Sequence, residues 1–358
     1  MSALTTTLHK AEKRLTLLRD LQREFPLKRV RALRRSDADL VVWIHHSYPA
    51  GWLKYFFRED GIVKDAGLLA GLARAGVPFQ LVTGNKIDRV RNKRVIYSIF
   101  PYNPNRRKNY SDGLVEALRE IESHGNTLAP RADEAEWWEN KIYMHRRFAE
   151  LGVNCPPTTI DRLTDDLDTS LTYPLLVKEP HSSGSLGLHK VDSAAEHQRV
   201  RDELRAAGET EVLTQGLIDM KRDLRVTIVG DQVVHHYFRI NTTDAWQPTS
   251  TKRGSIVDFE TFPERWRAHI LEVFSRFGLR TGAFDICWEG DDLATEPIFL
   301  EVSPAYTPNP PLPPAFADRP YADFKLHLRG PDAYGTAFVR NVFRIQEMIL
   351  EEWGITSE

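Results

Sequence analysis

The chain has 358 residues, room for two or three domains of ordinary size. Hydrophobic residues make up 41% and charged residues 27%, as in globular proteins with sizeable cores. With 48 Lys and Arg against 50 Asp and Glu the net charge is -2, so no global field draws the chain to nucleic acid or to a membrane surface.

Residues 3–25 read as a helix. Leu4, Leu8, Ala11, Leu15, Leu18 and Phe25 recur at a spacing of three to four, and Pro26 ends the run. Such a stripe packs on its own domain or on a partner helix, and a homodimer contact is one expectation. The basic runs RVRALRR (29–35) and RVRNKR (89–94) read as solvated helix or loop faces. ADLVVWIHH (38–46), VPFQLVT (77–83) and RVIYSIF (94–100) are apolar runs typical of strands buried on both faces. Helices are expected around 63–75 and over 111–125, the second starting on Ser111 and ending near Gly125. Alternating strands and helices point to an open α/β domain over 1–128. No glycine-rich dinucleotide fingerprint follows any of these strands, which argues against a nicotinamide role.

APRADEAE (129–136) reads as a linker. A helix closed by Gly152 follows, then a Pro-Pro entry into a strand, a strand at 173–180, a Gly/Ser loop over 181–191 running into another strand, a helix at 194–207, a strand at 211–218, and a hairpin over 223–240 with its turn at Gly230-Asp231. An amphipathic helix is expected over 262–278 and a closing helix over 333–354. Cys155 and Cys287 are too few and too far apart for a disulfide framework or a zinc site. No apolar run reaches the roughly 18 residues of a membrane span, and the N-terminus has no apolar signal core. A reducing cytoplasm is the expected compartment.

Three places carry chemistry. Lys178 ends a strand and runs straight into HSSGSLG, where Gly184 and Gly187 would let backbone N–H groups approach a phosphate; the plain alternative is a turn. Asp223, Arg225 and Thr227 share one strand face, and His235 and Arg239 share a face of the next strand. Arginine forks in such places suit carboxylate or phosphate, or form ion pairs on a sheet surface. Phe284 to Pro304 reads as a further hairpin, with Phe284, Ile286 and Trp288 on one face and Asp285 on the other. In its second strand strict alternation groups Ile298, Leu300 and Val302 against Glu301 and Ser303. Asp285 and Glu301 would then converge, needing protons or a cation such as Mg²⁺, or would be solvated on a half-exposed face.

The order Lys141 on a helix, Lys178 with a glycine loop, TQGLI, DLRV, then Asp285 and Glu301 resembles the ATP-grasp superfamily over roughly residues 130–310. The branch it resembles holds glutathione synthetase, D-alanine–D-alanine ligase and the α-glutamate ligases. The resemblance implies an α/β and α+β protein in which two α+β subdomains, 129–212 and 213–358, grip ATP behind an open α/β N-terminal domain. It implies phosphate contacts for Lys141, Lys178, Ser183, Gly184, Ser185 and Gly187. Gln215, Leu217 and Ile218 would line the adenine, and Asp223 would sit near the ribose. Arg225 and Arg239 would act on the phosphates or the acyl phosphate, and Asp285, Glu301 and Ser303 would hold Mg²⁺ or Mn²⁺. Ser303 stands where the family commonly has Asn, and Gly216 and Leu217 occupy altered hinge positions. The expected activity joins a small-molecule carboxylate to an amine through an acyl phosphate, releasing ADP and phosphate. The alternatives are an ATP-grasp-like phosphotransferase and a nucleotide-binding protein without turnover. Substrate contacts are expected from the N-terminal domain and from the loops 241–255 and 304–314.

Overall fold

The computed structural model describes residues 3–45, 59–99 and 110–356, except 169, 183, 185, 186, 244, 252, 318 and 331. Three sheets organise the described residues. The first is parallel, in the order β2-β1-β3-β4, from β1 (Leu40–Ile44), β2 (Gln80–Thr83), β3 (Arg94–Tyr97) and β4 (Thr127–Ala129). The apolar runs of β1 and β3 are buried on both faces, as a sheet covered by helices requires. The second is antiparallel, in the order β5-β8-β6-β7, from β5 (Thr158–Arg162), β6 (Leu175–Lys178), β7 (Leu188–Val191) and β8 (Glu211–Gly216). The third is antiparallel, in the order β11-β10-β9-β12-β13, from β9 (Arg222–Val229), β10 (Gln232–Ile240), β11 (Ile256–Asp258), β12 (Thr281–Cys287) and β13 (Ile298–Ser303).

The third sheet supplies a core rich in aromatic rings. Leu224, Val226 and Ile228 of β9 alternate inward and meet Phe284 and Ile286 of β12. Phe274, Phe277 and Phe148 close over them, with Phe148 and Phe277 stacked at 5.4 Å and Phe284 and Phe299 edge to face at 4.9 Å. Such ring pairs add about 0.5–1.5 kcal/mol each beyond their buried area. Phe148 and Met144 come from a helix at Lys141–Glu150. That helix starts on Asn140, whose side chain accepts from the Tyr143 N–H at 3.2 Å, and the chain leaves it through Gly152 at φ +62°.

Strict alternation fails in β13. Asp285 pairs with Glu301 but Ile286 pairs with Phe299, which leaves Leu300 as a β-bulge. The extra residue puts both Phe299 and Val302 in the core and turns Leu300, Glu301 and Ser303 to the opposite side.

Segment 129–136 is not a free linker. It begins at the end of β4 and contains a helical turn, Ala132–Ala135, whose Glu134 is buried. The Glu134 carboxylate accepts from the Arg131 and Arg280 backbone N–H groups at 2.8 and 2.9 Å and from the Arg280 guanidinium at 2.8 and 3.2 Å. This ties the entry of β12 to the end of the first sheet. The terminal helices also return to the N-terminal region. Ile345, Ile349 and Leu350 of Tyr334–Glu352 share a core with Leu68, Leu69 and Leu72 of Glu59–Ala75. The N-terminal helix, Ala3–Glu24, buries Leu17 and Leu21 against Phe338, Val339 and Val342 of the same closing helix. The approach is close: a Cβ on Gly335 would lie 2.5 Å from Asp20 Oδ2. The buried face is not the one the spacing predicted: Leu17 and Leu21 lie inside, Leu15 is 68% exposed and Leu18 half-buried, Phe25 packs against the core, and the side chains of Leu4, Leu8 and Ala11 lie outside the described residues. No helix among the described residues is long and apolar enough to cross a membrane.

Candidate active site

A cavity of about 520 Å³ separates the second sheet from the third. β6 and β8 contribute Leu176, Lys178, Gln215 and Gly216 from one side, and β9, β10, β12 and β13 contribute Asp223, Arg225, Arg239, Asp285, Glu301 and Ser303 from the other. Leu217, Ile218 and Met220 bridge the two at the back, where β8 passes to β9. Gly184 of the glycine loop faces the same space.

The floor is a charge lattice laid across strands. Arg225 and Asp285 are cross-strand partners, and the Arg225 fork donates through Nε to Asp285 Oδ1 at 2.7 Å and through Nη2 to Oδ2 at 2.6 Å. Arg239 faces Asp223 in the same way, with Nε 2.9 Å from Asp223 Oδ1, Nη2 bonded to Oδ2, and a further 2.9 Å contact from Nη2 to Asp285 Oδ2. Glu301 lies opposite Asp285 in register. Burial opposes the charge on Asp285, but the two guanidiniums outweigh it and hold the carboxyl well below the usual carboxylate range.

Lys178 stands across the cavity from this lattice. Its ammonium donates to Gln215 Oε1, and Gln215 Nε2 donates to Thr158 Oγ1 at 2.7 Å, so the amide is aimed from behind. Burial first and repulsion from Lys141 second lower the Lys178 pKa to about 8, against the opposing pull of Glu301. Lys141 itself is buried and donates to the Ser182 carbonyl inside the glycine loop. It therefore holds the loop, and does not line the cavity directly. His145 next to both lysines is kept neutral, at about 3, first by burial and then by their charge. Gly184 and Gly187 take φ of +61° and +63°, which favours glycine, and a Cβ on Gly187 would lie within 2.9 Å of the Glu179 side chain. Ser183 and Ser185 lie outside the described residues.

The acids suit a hard cation. Asp285 has four lone-pair sites on its carboxylate and the guanidiniums occupy three, while Glu301 has no described hydrogen-bond partner and faces the cavity. No cluster of three or more metal-ligating acids, His or Cys exists among the described residues. That is compatible with Mg²⁺, which takes one or two carboxylates and fills the rest with phosphate and water. Ser303 points into the same space, but its hydroxyl donates to the Ala305 carbonyl at 2.8 Å and accepts from the Ala305 N–H at 3.2 Å. It would have to turn away from Ala305 to reach a cation. Burial pushes the Cys287 thiol far up, so it is no nucleophile at neutral pH.

No family model matches the sequence, and no curated protein does. Solved structures do. D-alanine–D-alanine ligase from Bacillus anthracis, complexed with ATP, is 14% identical with a TM-score of 0.52, over 87% of this chain and 99% of that one. The ATP-grasp ligase PsnB, complexed with a phosphomimetic variant of its minimal precursor, Mg and ADP, is 12% identical with a TM-score of 0.52, over 88% and 99%. The fold is ATP-grasp. D-cycloserine synthetase DcsG is similar as well, 15% identical with a TM-score of 0.50, over 86% and 99%. These likenesses extend along nearly the whole of each solved chain. At such identity they speak for the fold, and the chemistry rests on the cavity.

Several cavity residues escaped the sequence reading. Tyr237 follows from the same alternation that paired His235 with Arg239, since it stands between them on that face. Trp246, Gln247, Pro248 and Thr249, with Tyr306, Thr307 and Asn309, come from the two loops expected to touch substrate. Lys13 and Lys325 carried no signal, because only tertiary packing brings their helices to the cavity.

Proposed function

We propose that the protein is an ATP-dependent carboxylate–amine ligase. The observation behind this is the convergence of Lys178, Arg225, Arg239, Asp285 and Glu301 on one cavity between the two gripping sheets of an ATP-grasp fold. The ATP, and the ADP with Mg, in the similar structures support the nucleotide part.

In this reading Leu217 and Ile218 line the adenine, partly through their backbone, and the phosphates run toward Lys178 and the glycine loop. Gln215 serves chiefly to aim Lys178. Asp223, with both oxygens in the Arg239 fork, aims that guanidinium and meets the ribose only if the fork opens. Glu301 and the remaining site on Asp285 would hold Mg²⁺ or Mn²⁺, which would supply charge neutralisation to the phosphates. The substrate carboxylate oxygen attacks the γ-phosphorus and the bond to the bridging oxygen breaks, giving ADP and an acyl phosphate. Arg225 and Arg239 offset the charge on the moving phosphoryl group from fixed positions, which costs no reorganisation during reaction. The amine nitrogen then attacks the acyl carbon, phosphate departs with the C–O electron pair, and the nitrogen loses a proton to solvent. Positioning carries the rate, and no side-chain nucleophile is needed.

The nucleotide products test the reading. ADP and phosphate are expected by chromatography, and AMP with pyrophosphate would overturn the acyl-phosphate mechanism. A second reading, nucleotide binding without turnover, draws on the Ser303–Ala305 contact and on the occupied Asp285 carboxylate. It expects nucleotide affinity with no ADP formed.

A further inference from the structure

Part of the cavity lining lies outside the residues assigned above to the nucleotide. Lys13 of the N-terminal helix, Lys325 of the short helix Tyr321–Lys325, and Trp246 belong to it. The two ammonium groups stand over adjoining rings. Lys13 Nζ lies 5.3 Å from the centroid of Tyr334, and Lys325 Nζ lies 5.2 Å from that of Tyr321. The rings meet edge to face at 6.5 Å and both are buried, so they fix where the charges sit. Lys325 also reaches Thr251 Oγ1 at 3.4 Å. Beside them Asn309, only 5% exposed, donates to the Tyr237 hydroxyl at 2.8 Å, and its Oδ1 is buried with no partner among the described residues. A buried amide oxygen of this kind calls for a donor.

We propose that this part of the cavity is an anion subsite, in which Lys13 and Lys325 bind a non-reacting carboxylate or phosphate carried by one of the two substrates, while Asn309 Oδ1 accepts a hydrogen bond from the same molecule. The subsite rests on the ligase reading for its purpose, and narrows the substrate to one bearing an extra anionic group. Two cations brought in on separate helices, partly stripped of water by the rings beneath them, discriminate by charge more strongly than exposed lysines do.

The test is isothermal titration of the full chain, saturated with ADP and Mg²⁺, using two matched pairs: glutamate against glutamine, and phosphoserine against serine. The wild type is compared with Lys13→Met/Lys325→Met and with Lys13→Arg/Lys325→Arg. The charged member of one pair is expected to bind at least about tenfold tighter than its neutral mate, the step of one good charged contact. The preference is expected to vanish in the Met pair and survive in the Arg pair, with ADP affinity equal in all three as the check on folding. A glutamate preference assigns a carboxylate group and a phosphoserine preference a phosphate. Indistinguishable charged and neutral probes in both pairs, absence of heat from all four included, would overturn the proposal, as would a preference that persists in the Met pair. The titration needs no turnover, so its failure leaves the ligase reading standing, and a failure to form ADP leaves the subsite result legible.

Discussion

Replacing Lys178 with Met should stabilise the empty protein while abolishing turnover. The folded chain holds this ammonium at about 8 against an ordinary 10.5, through burial and the charge of Lys141. At about 1.4 kcal/mol per pH unit the gap sets an upper bound of about 3 kcal/mol on the cost of the charge to folding. Lys178 is half-buried, which discounts that figure, and Met leaves Gln215 Oε1 without its donor, which costs about 1 kcal/mol. A net gain of about 1–2 kcal/mol remains, or a rise in Tm of about 1–3 °C for a chain this long. The sign is fixed by linkage. The folded pKa lies below the unfolded one, so the unfolded chain binds more protons between about 8 and 10.5, and wild-type stability rises across that window. The advantage of Lys178→Met should therefore be full at pH 7 and shrink toward pH 10.5. Thermal melts of both proteins at pH 7, 8.5 and 10 measure it, beside ADP release at pH 7. A variant less stable than wild type at pH 7, or a difference independent of pH, would refute the claim that Lys178 is a strained charge held ready for an anion.

Other substitutions probe the rest of the site. Arg239→Met leaves Asp223 buried and unpaired, so it should destabilise by about 3–5 kcal/mol, read by denaturant unfolding; Asp223→Asn with Arg239→Met should recover part of the loss. Glu301→Gln should raise the Mg²⁺ concentration for half-maximal rate far more than Ser303→Ala, because Glu301 faces the cavity with no hydrogen-bond partner among the described residues while Ser303 is bonded to Ala305. Equal shifts in rate against Mg²⁺ would remove Glu301 from the metal site. Gly335→Ala drives a methyl onto the Asp20 carboxylate where the N-terminal helix crosses, so it should lower Tm measurably with the assembly state in solution unchanged.

Much of this site was legible because strands obey a two-residue period. Leu224, Val226 and Ile228 go to the core, and Asp223 and Arg225 go to the cavity, as alternation dictates. The bulge at Leu300 was hidden, since nothing in IFLEVS marks which residue lacks a partner. The pairing of Arg225 with Asp285 and of Arg239 with Asp223 was hidden as well. Each pair depends on which strands become neighbours, and that is settled by the whole sheet. The 129–136 stretch looked like a linker because its acids appear solvated in sequence, yet Glu134 finds Arg280 some 146 residues away. Long-range partners of this kind leave no local trace.

Simultaneous dependence of ADP formation on an acid and an amine tests the central claim most directly. The chain is incubated with ATP and Mg²⁺ and a grid of small carboxylates and amines, and ADP and amide are quantified together. One grid position should give ADP only when both partners are present, with one amide formed for each ADP. ADP formed with an acceptor alone and without amide would contradict the ligase account in favour of phosphoryl transfer, and nucleotide binding with no ADP anywhere on the grid would contradict it in favour of a binding protein.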